Sequence, residues 1–123
     1  MSLVRLDHIN ISTADLAETT AFFIDILGLE VGWRPDLPFG GAWLYAEGKD
    51  LVHLAEVGAK PLPSRGSALD HFAFAIDDYD EALRKLDARG ITYRKLAPPG
   101  DTGIRQLFIT DLNGVTIELN CRT

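Results

Sequence analysis

Apolar and polar positions alternate along the first extended segment, "LVRLDHINIST". Leu6, His8, Asn10 and Ser12 fall on one face of a strand, and Ile9 and Ile11 fall on the other. The period then changes. In "TADLAETTAFFIDILG" the apolar stripe Leu16, Phe23, Ile26 and Leu27 predicts a helix, with Thr13 as its cap and Gly28 as its stop. Three strand-like runs follow, "LEVGWR", "GAWLYAEG" and "LVHLAEV", separated by "PDLPFGG" and "GKD". After a Pro/Gly/Ser-rich connector, "GAKPLPSRGSA", the order restarts. "LDHFAFAI" sets Leu69, His71, Ala73 and Ala75 against Phe72, Phe74 and Ile76. "DDYDEALRKLDARG" carries the stripe Tyr79, Ala82, Leu83 and Leu86, ended by Gly90. "ITYRKL", "IRQLFIT" and "GVTIELN" are strands, with "APPGDTG" and "DLNG" as turns.

Each half therefore reads strand, helix, three strands. The expected organisation is a first βαβββ module over residues 1–57, a linker over 58–68 and a second module over 69–123. Together they make one compact α+β domain, possible within a chain or completed across a dimer. Two copies are too few for a solenoid, and each is too small to bury its sheet alone. When the halves are superimposed, Leu6, Asp7 and His8 match Leu69, Asp70 and His71, Gly28 matches Gly90, and His53 falls over Glu118.

Composition narrows the class without naming it. The chain has 123 residues, 46% hydrophobic and 24% charged, with a formal net charge of −6 and one cysteine, Cys121. An acidic balance without a basic run argues against nucleic acid and anionic membranes. No apolar stretch approaches the roughly 20 residues of a membrane span. A single cysteine excludes an intrachain disulfide and fits a reducing compartment, so the expected location is cytoplasmic.

The repeat turns four scattered side chains into a set: His8, His53, His71 and Glu118. If the first and fourth strands of each module are neighbours, His8 lies beside His53 and His71 beside Glu118, strands being about 4.8 Å apart. Such side chains can converge on one ion at about 2.0–2.2 Å. A lone strand histidine is more often a residue satisfied by hydrogen bonds. Three histidines at repeat-equivalent positions with a glutamate point instead to a duplicated metal-ligand strand. Asp7 and Asp70 repeat too, but alternate away from the histidines and read as strand-start or turn residues.

"LDHINISTADLAETTAFFIDILGLEV", "LDHFAFAI" and "FITDLNGVTIEL" together resemble the vicinal oxygen chelate superfamily. That superfamily contains glyoxalase I, extradiol dioxygenases, methylmalonyl-CoA epimerase, fosfomycin-resistance thiol transferases and bleomycin-binding proteins. The resemblance spans essentially the whole chain. It implies two βαβββ modules forming a curved, open mixed sheet around a divalent metal, and usually a homodimer. It also implies that His8, His71 and Glu118 are the metal ligands, with His53 a possible fourth. Fe(II) or Mn(II) is favoured for this set, and Ni, Co or Zn is accepted by the same donors. An ion with one carboxylate ligand keeps a charge of about +1 and favours a bidentate anionic ligand.

His53 separates the family's branches. Glyoxalase I and its relatives generally carry Glu or Gln there. In extradiol dioxygenases the matching histidine is an acid–base group rather than a ligand, a role an imidazole suits at neutral pH. The dioxygenase signature also has a tyrosine where Phe108 stands, a proline where Leu112 stands, and a further upstream histidine that "APPGDTG" lacks, whereas Asp111 and Gly114 match. The leading expectation is a metal-dependent enzyme on a small substrate with two vicinal oxygens, leaning to dioxygenase (oxidoreductase) chemistry with His53 catalytic. A glyoxalase- or epimerase-like lyase or isomerase is the alternative, and a drug-sequestering binding protein the non-enzymatic one. Trp33, Arg34, Trp43, Tyr45, Arg105 and Phe108 are candidate substrate contacts. The competing reading is that the aromatics fill the sheet core or a dimer seam and the arginines are solvated.

Overall fold

The structure, a computed structural model, describes all residues Met1–Thr123. The chain divides into two compact units, Met1–Pro61 and Leu62–Thr123. In the first, the order is β1 (Ile9–Thr13), α1 (Leu16–Asp25), β2 (Glu30–Gly32), β3 (Gly41–Ala46) and β4 (Lys49–Glu56). The second repeats it: β5 (His71–Ile76), α2 (Tyr79–Ala88), β6 (Arg94–Leu96), β7 (Ile104–Thr110) and β8 (Thr116–Arg122). Each unit holds one four-stranded mixed sheet, ordered β1-β4-β3-β2 in the first and β5-β8-β7-β6 in the second. The α+β architecture of two βαβββ modules is thus present as the sequence repeat implied. No helix is long and apolar enough to cross a membrane.

The first and last strands of each unit pair in parallel, β1 with β4 and β5 with β8. That pairing needs a crossover, which the helix and the two intervening strands supply. In unit 1 the apolar face packs under α1. Ile11, Leu44, Val52 and Leu54 are buried with Phe23 and Leu29, and burying a side chain such as Phe23 contributes roughly 2–3 kcal/mol. In unit 2 the corresponding face carries Leu107, Ile109, Ile117 and Leu119, all buried.

Three local expectations need correction. Thr13 does not cap α1; Asp15 does, accepting the Glu18 N–H, while buried Thr13 accepts the Asp15 N–H and pairs its hydroxyl with Thr19. A hydroxyl in a buried strand end has a better partner in the first helical turn than the helix terminus offers. The helices are also shorter than their patterns, because Gly28 and Gly90 follow a turn that no longer runs α-helically. At Gly28 (φ 72°) the closing bonds run from Gly28 N–H to Ile24 and from Leu29 N–H to Phe23, a left-handed stop that favours glycine.

The third correction is in the register. His8 precedes the β1 ladder, and Asn10, not His8, lies opposite His53. Unit 2 shows the same offset of two residues: Ala73 lies opposite Glu118, and His71 opposite Thr116. The duplicated histidines meet their partners diagonally, a reach that long or aromatic side chains allow.

Candidate functional site

Unit 1 gathers four rings into a continuous series. His53, at the middle of β4, lies opposite Trp43 of β3. Its ring stacks on Trp43 at 3.9 Å and on His8 at 3.7 Å, with interplanar angles of 7° and 16°. Trp33, 71% exposed, meets Trp43 edge-on at 5.6 Å. With both faces covered, His53 reaches its surroundings only through its ring edge.

A closed polar circuit ties the two stacked histidines together. His8 Nδ1 is 2.7 Å from Asp7 Oδ2, Asp7 Oδ1 is 3.2 Å from Lys49 Nζ, Lys49 Nζ is 2.9 Å from Asp50 Oδ1, and Asp50 Oδ2 is 2.6 Å from His53 Nε2. Hydrogen bonds from His53 and then Lys49 hold the Asp50 carboxyl well below the usual carboxylate range. His8 and Lys49 lower Asp7 likewise, and Asp50 foremost raises Lys49. An ionised carboxylate can only accept, so the proton of each bond sits on the imidazole: on Nδ1 in His8 and on Nε2 in His53.

Unit 2 builds a second pair. Glu118, 5% exposed, sits mid-β8. Its Oε2 accepts from Asn120 Nδ2 at 2.6 Å and Gln106 Nε2 at 3.2 Å, and Arg122 Nε donates to the side-chain Oδ1 of Asn120. The other oxygen, Oε1, lies 3.2 Å from His71 Nε2, while His71 Nδ1 is held by Asp70 at 2.8 Å. Asp70 in turn accepts the Gly66 N–H at 2.7 Å, which with His71 lowers its pKa. Gly66 takes φ 83°, which a side chain would resist. The connector is therefore built into unit 2: Ser64 donates to the Asp70 carbonyl and accepts the Thr116 N–H.

Asp7 and Asp70 alternate away from the histidines along the chain, yet each carboxylate turns back onto its neighbour's ring. Sequence periodicity missed them because it assigns a face and not a side-chain rotamer. The repeat of Asp-His was the available signal. Lys49, Asp50, Gln106 and Asn120 had none in the repeat, since none has a like residue at the matching place of the other half. Lys49 reaches Asp7 and Gln106 reaches Glu118 across strands or segments, while Asp50 and Asn120 meet His53 and Glu118 along their own strands.

The other predicted residues divide. Phe108 lies opposite Glu118 and meets His71 edge-on at 5.3 Å, the place Trp43 holds beside His53. Arg94, not foreseen, lies over Phe108 at 4.9 Å. Arg105 is on the opposite face, 4.4 Å over Tyr79 of α2, because it alternates with Gln106 and Phe108 along β7. Arg34 is turned onto its own loop, donating to the Phe39 carbonyl at 2.7 Å, with its Nε buried and unpartnered. Tyr45 donates to the Trp33 carbonyl at 2.6 Å. A cleft of about 570 Å³ beside Glu30, Val31, Tyr45 and Glu47 contains none of the histidines.

Within neither unit do three His, Cys, Asp or Glu side chains gather as a metal cluster; each unit offers a pair. The unit 2 pair suits a divalent ion. Two donors at about 2.1 Å from one ion, at an angle of about 100°, are separated by roughly 3.2 Å, the spacing of His71 Nε2 and Glu118 Oε1. Their remaining atoms are tied to Asp70 and to two amides, the outer support that ligating histidines and carboxylates require.

A search for relatives finds an uncharacterized protein of Escherichia coli (strain K12), YaeR, 26% identical, with 97% of each chain covered. Among solved structures, a glyoxylase/bleomycin resistance protein/dioxygenase domain from Frankia sp. EAN1pec superimposes with a TM-score of 0.80 at 18% identity, covering 99% of this chain and 100% of that one. A mutant of the fosfomycin resistance protein FosX from Listeria monocytogenes, complexed with Mn(II) and 1S,2S-dihydroxypropylphosphonic acid, superimposes with a TM-score of 0.79 at 22% identity. It covers 99% of this chain and 95% of that one. The family model for the Glyoxalase/Bleomycin resistance protein/Dioxygenase superfamily matches residues 5–119. With that match over nearly the whole sequence, and the duplicated strand-helix-strand order already in place, the chain belongs to this superfamily.

Proposed function

We propose that this protein is a divalent-metal-dependent enzyme acting on a small substrate that offers two vicinal oxygens. His8, His71 and Glu118 are the ligands, and Mn(II) or Fe(II) is the favoured ion. The observation that carries this reading is the His71–Glu118 pair, spaced for an ion and supported on its far side by Asp70, Gln106 and Asn120. The FosX mutant complexed with Mn(II) and a vicinal diol phosphonate, a protein of the same fold, supports the choice of ion and of substrate class. When bound, the ion supplies a Lewis acid that draws both substrate oxygens and stabilises negative charge developing on them.

The chain's residues supply the rest. His53 is the acid–base group. Its Nε2–H is engaged by Asp50, so Nδ1 is the atom left to take or give a proton. Asp50 holds that tautomer, as a carboxylate does for a catalytic histidine generally. Ring planes stacked at 3.7 Å and within 16° keep the His8 and His53 lone pairs in two nearly parallel planes, so one ion cannot lie in the plane of both rings. This favours His53 as a proton carrier over a fourth ligand. Trp43 and Phe108 present aromatic surface beside the two pairs, and the Arg94 guanidinium suits an anionic substrate group.

A non-ligand histidine is the arrangement of the dioxygenase branch, so oxygen-dependent cleavage of a catechol-like substrate is the leading reaction class. An oxygen-independent lyase or isomerase is the second, favoured by a glyoxalase-type reaction's need for the same vicinal oxygens. The test is metal content per chain after anaerobic purification, with His53→Ala and Glu118→Ala beside the native protein. The expected result is stoichiometric Fe or Mn in the native and His53→Ala proteins and none in Glu118→Ala. His53→Ala should consume oxygen with catechols at least about 100-fold more slowly. Full metal in Glu118→Ala would sink the ligand set. Turnover that is indifferent to oxygen would move the protein to the lyase or isomerase class.

A further inference from the structure

We propose that Lys49 is a positioning residue that fixes opposite tautomers on His8 and His53 and so determines which nitrogen each ring presents. Its ammonium bridges the carboxylates of Asp7 and Asp50, which hold His8 Nδ1 and His53 Nε2 respectively. Three donors and no acceptor make an ammonium suited to joining two carboxylates that also receive an imidazole N–H. Neutral rings held this way present a bare Nε2 on His8 and a bare Nδ1 on His53.

The need for such a residue is local to unit 1. The β1–β4 ladder begins at Ile9, so no strand hydrogen bond holds His8. In unit 2 the equivalent aspartate, Asp70, is anchored by a backbone N–H, that of Gly66. Asp7 has no such backbone donor among its contacts and relies on Lys49 instead. Lys49 is itself delivered by the turn at Glu47 (φ 51°) and Gly48 (φ 75°), which starts β4 with Lys49 and Asp50 adjacent. Without the ammonium, Asp7 loses its link to the sheet, Asp50 keeps only His53, and either ring can turn over.

Why these nitrogens matter rests on the metal and proton-transfer roles proposed above; the tautomers themselves do not. The experiment therefore reads both. Long-range 1H–15N correlation spectra of the metal-free whole chain, at about pH 8 where an ordinary imidazole is neutral, report each tautomer. Mn(II) affinity is measured by chelator competition. The native protein should show His8 protonated on Nδ1 and His53 on Nε2. Lys49→Met should leave mixed tautomers on both rings and bind Mn(II) on the order of tenfold more weakly, the scale of a lost outer-shell partner. Lys49→Arg should restore both. The same tautomer on both rings of the native protein overturns the proposal without any variant, as does Lys49→Met with unchanged tautomers and affinity. Opposite tautomers that Lys49→Met scrambles in a protein binding no Mn(II) would support the positioning role and overturn the metal reading.

Discussion

Asp50 accepts from a histidine and an ammonium at once, and its carboxyl is held well below the usual range by those bonds. A depressed carboxylate pKa contributes stability above the unfolded value, near 4, and loses it as pH falls through the folded one. Asp50→Asn should therefore be less stable than the native protein at pH 6–8, by roughly 1 kcal/mol once solvent screening of a partly exposed pair is allowed for. The gap should close as pH drops below about 4. Denaturant midpoints across that range check it, and a gap that persists unchanged in acid would rule out the charge as its origin. The amide cradle of Glu118 makes a second prediction. Removing Asn120 leaves a buried carboxylate oxygen with one long bond, so Asn120→Ala should cost about 1–3 kcal/mol. At this scale the sequence displayed the four principal side chains, because duplication places them in correspondence. It hid Lys49, Asp50, Gln106 and Asn120, because a single copy of each has no counterpart in the other half, and nothing in a strand pattern says which polar neighbours will bond.

Elements were legible where one period dominates. The alternation in "LDHFAFAI" survives as β5, with Phe72, Phe74 and Ile76 more buried than His71, Ala73 and Ala75. Ends were less so. Thr13 and Asp15 are both competent caps, and the choice falls to Asp15 because Thr13 is already paired with Thr19 inside the unit. Asp15→Ala should cost about 1 kcal/mol, as loss of an N-cap side chain does. Thr13→Ala instead removes a buried hydroxyl pair, and comparing the two by urea unfolding separates cap from core. The turn joining β7 to β8 is a stronger case. Buried Asp111 accepts the N–H groups of Asn113 and Val115, each at 2.9 Å, and the side-chain amide of Asn113 at 3.0 Å. This matched signature residue thus fixes the hairpin register that sets Phe108 opposite Glu118. Asp111→Ala should destabilise by about 3 kcal/mol through its unmet buried donors, seen as a lower urea midpoint with an unchanged m-value.

Over the whole chain, duplication explains both the economy and the asymmetry of the candidate site. Both units place an Asp-tethered histidine two residues ahead of the position opposite the fourth strand's candidate side chain, His53 or Glu118. The first unit fills that place with an imidazole and the second with a carboxylate, and their supports diverge accordingly: a lysine-bridged circuit in one, an amide cradle in the other. The proposed ligand set, His8 with His71 and Glu118, makes a prediction that neither unit makes alone. An ion that binds only the folded chain at a free concentration about 100 times its Kd stabilises it by about 2.7 kcal/mol. For a chain of this length that corresponds to a rise in Tm of about 10 °C. Scanning calorimetry with increasing Mn(II) should show that rise in the native protein, and none in either His8→Ala or Glu118→Ala. Retention of about half the shift in each variant would mean that the units bind ions separately, as pairs, and that the duplicated strands serve two weak sites rather than one.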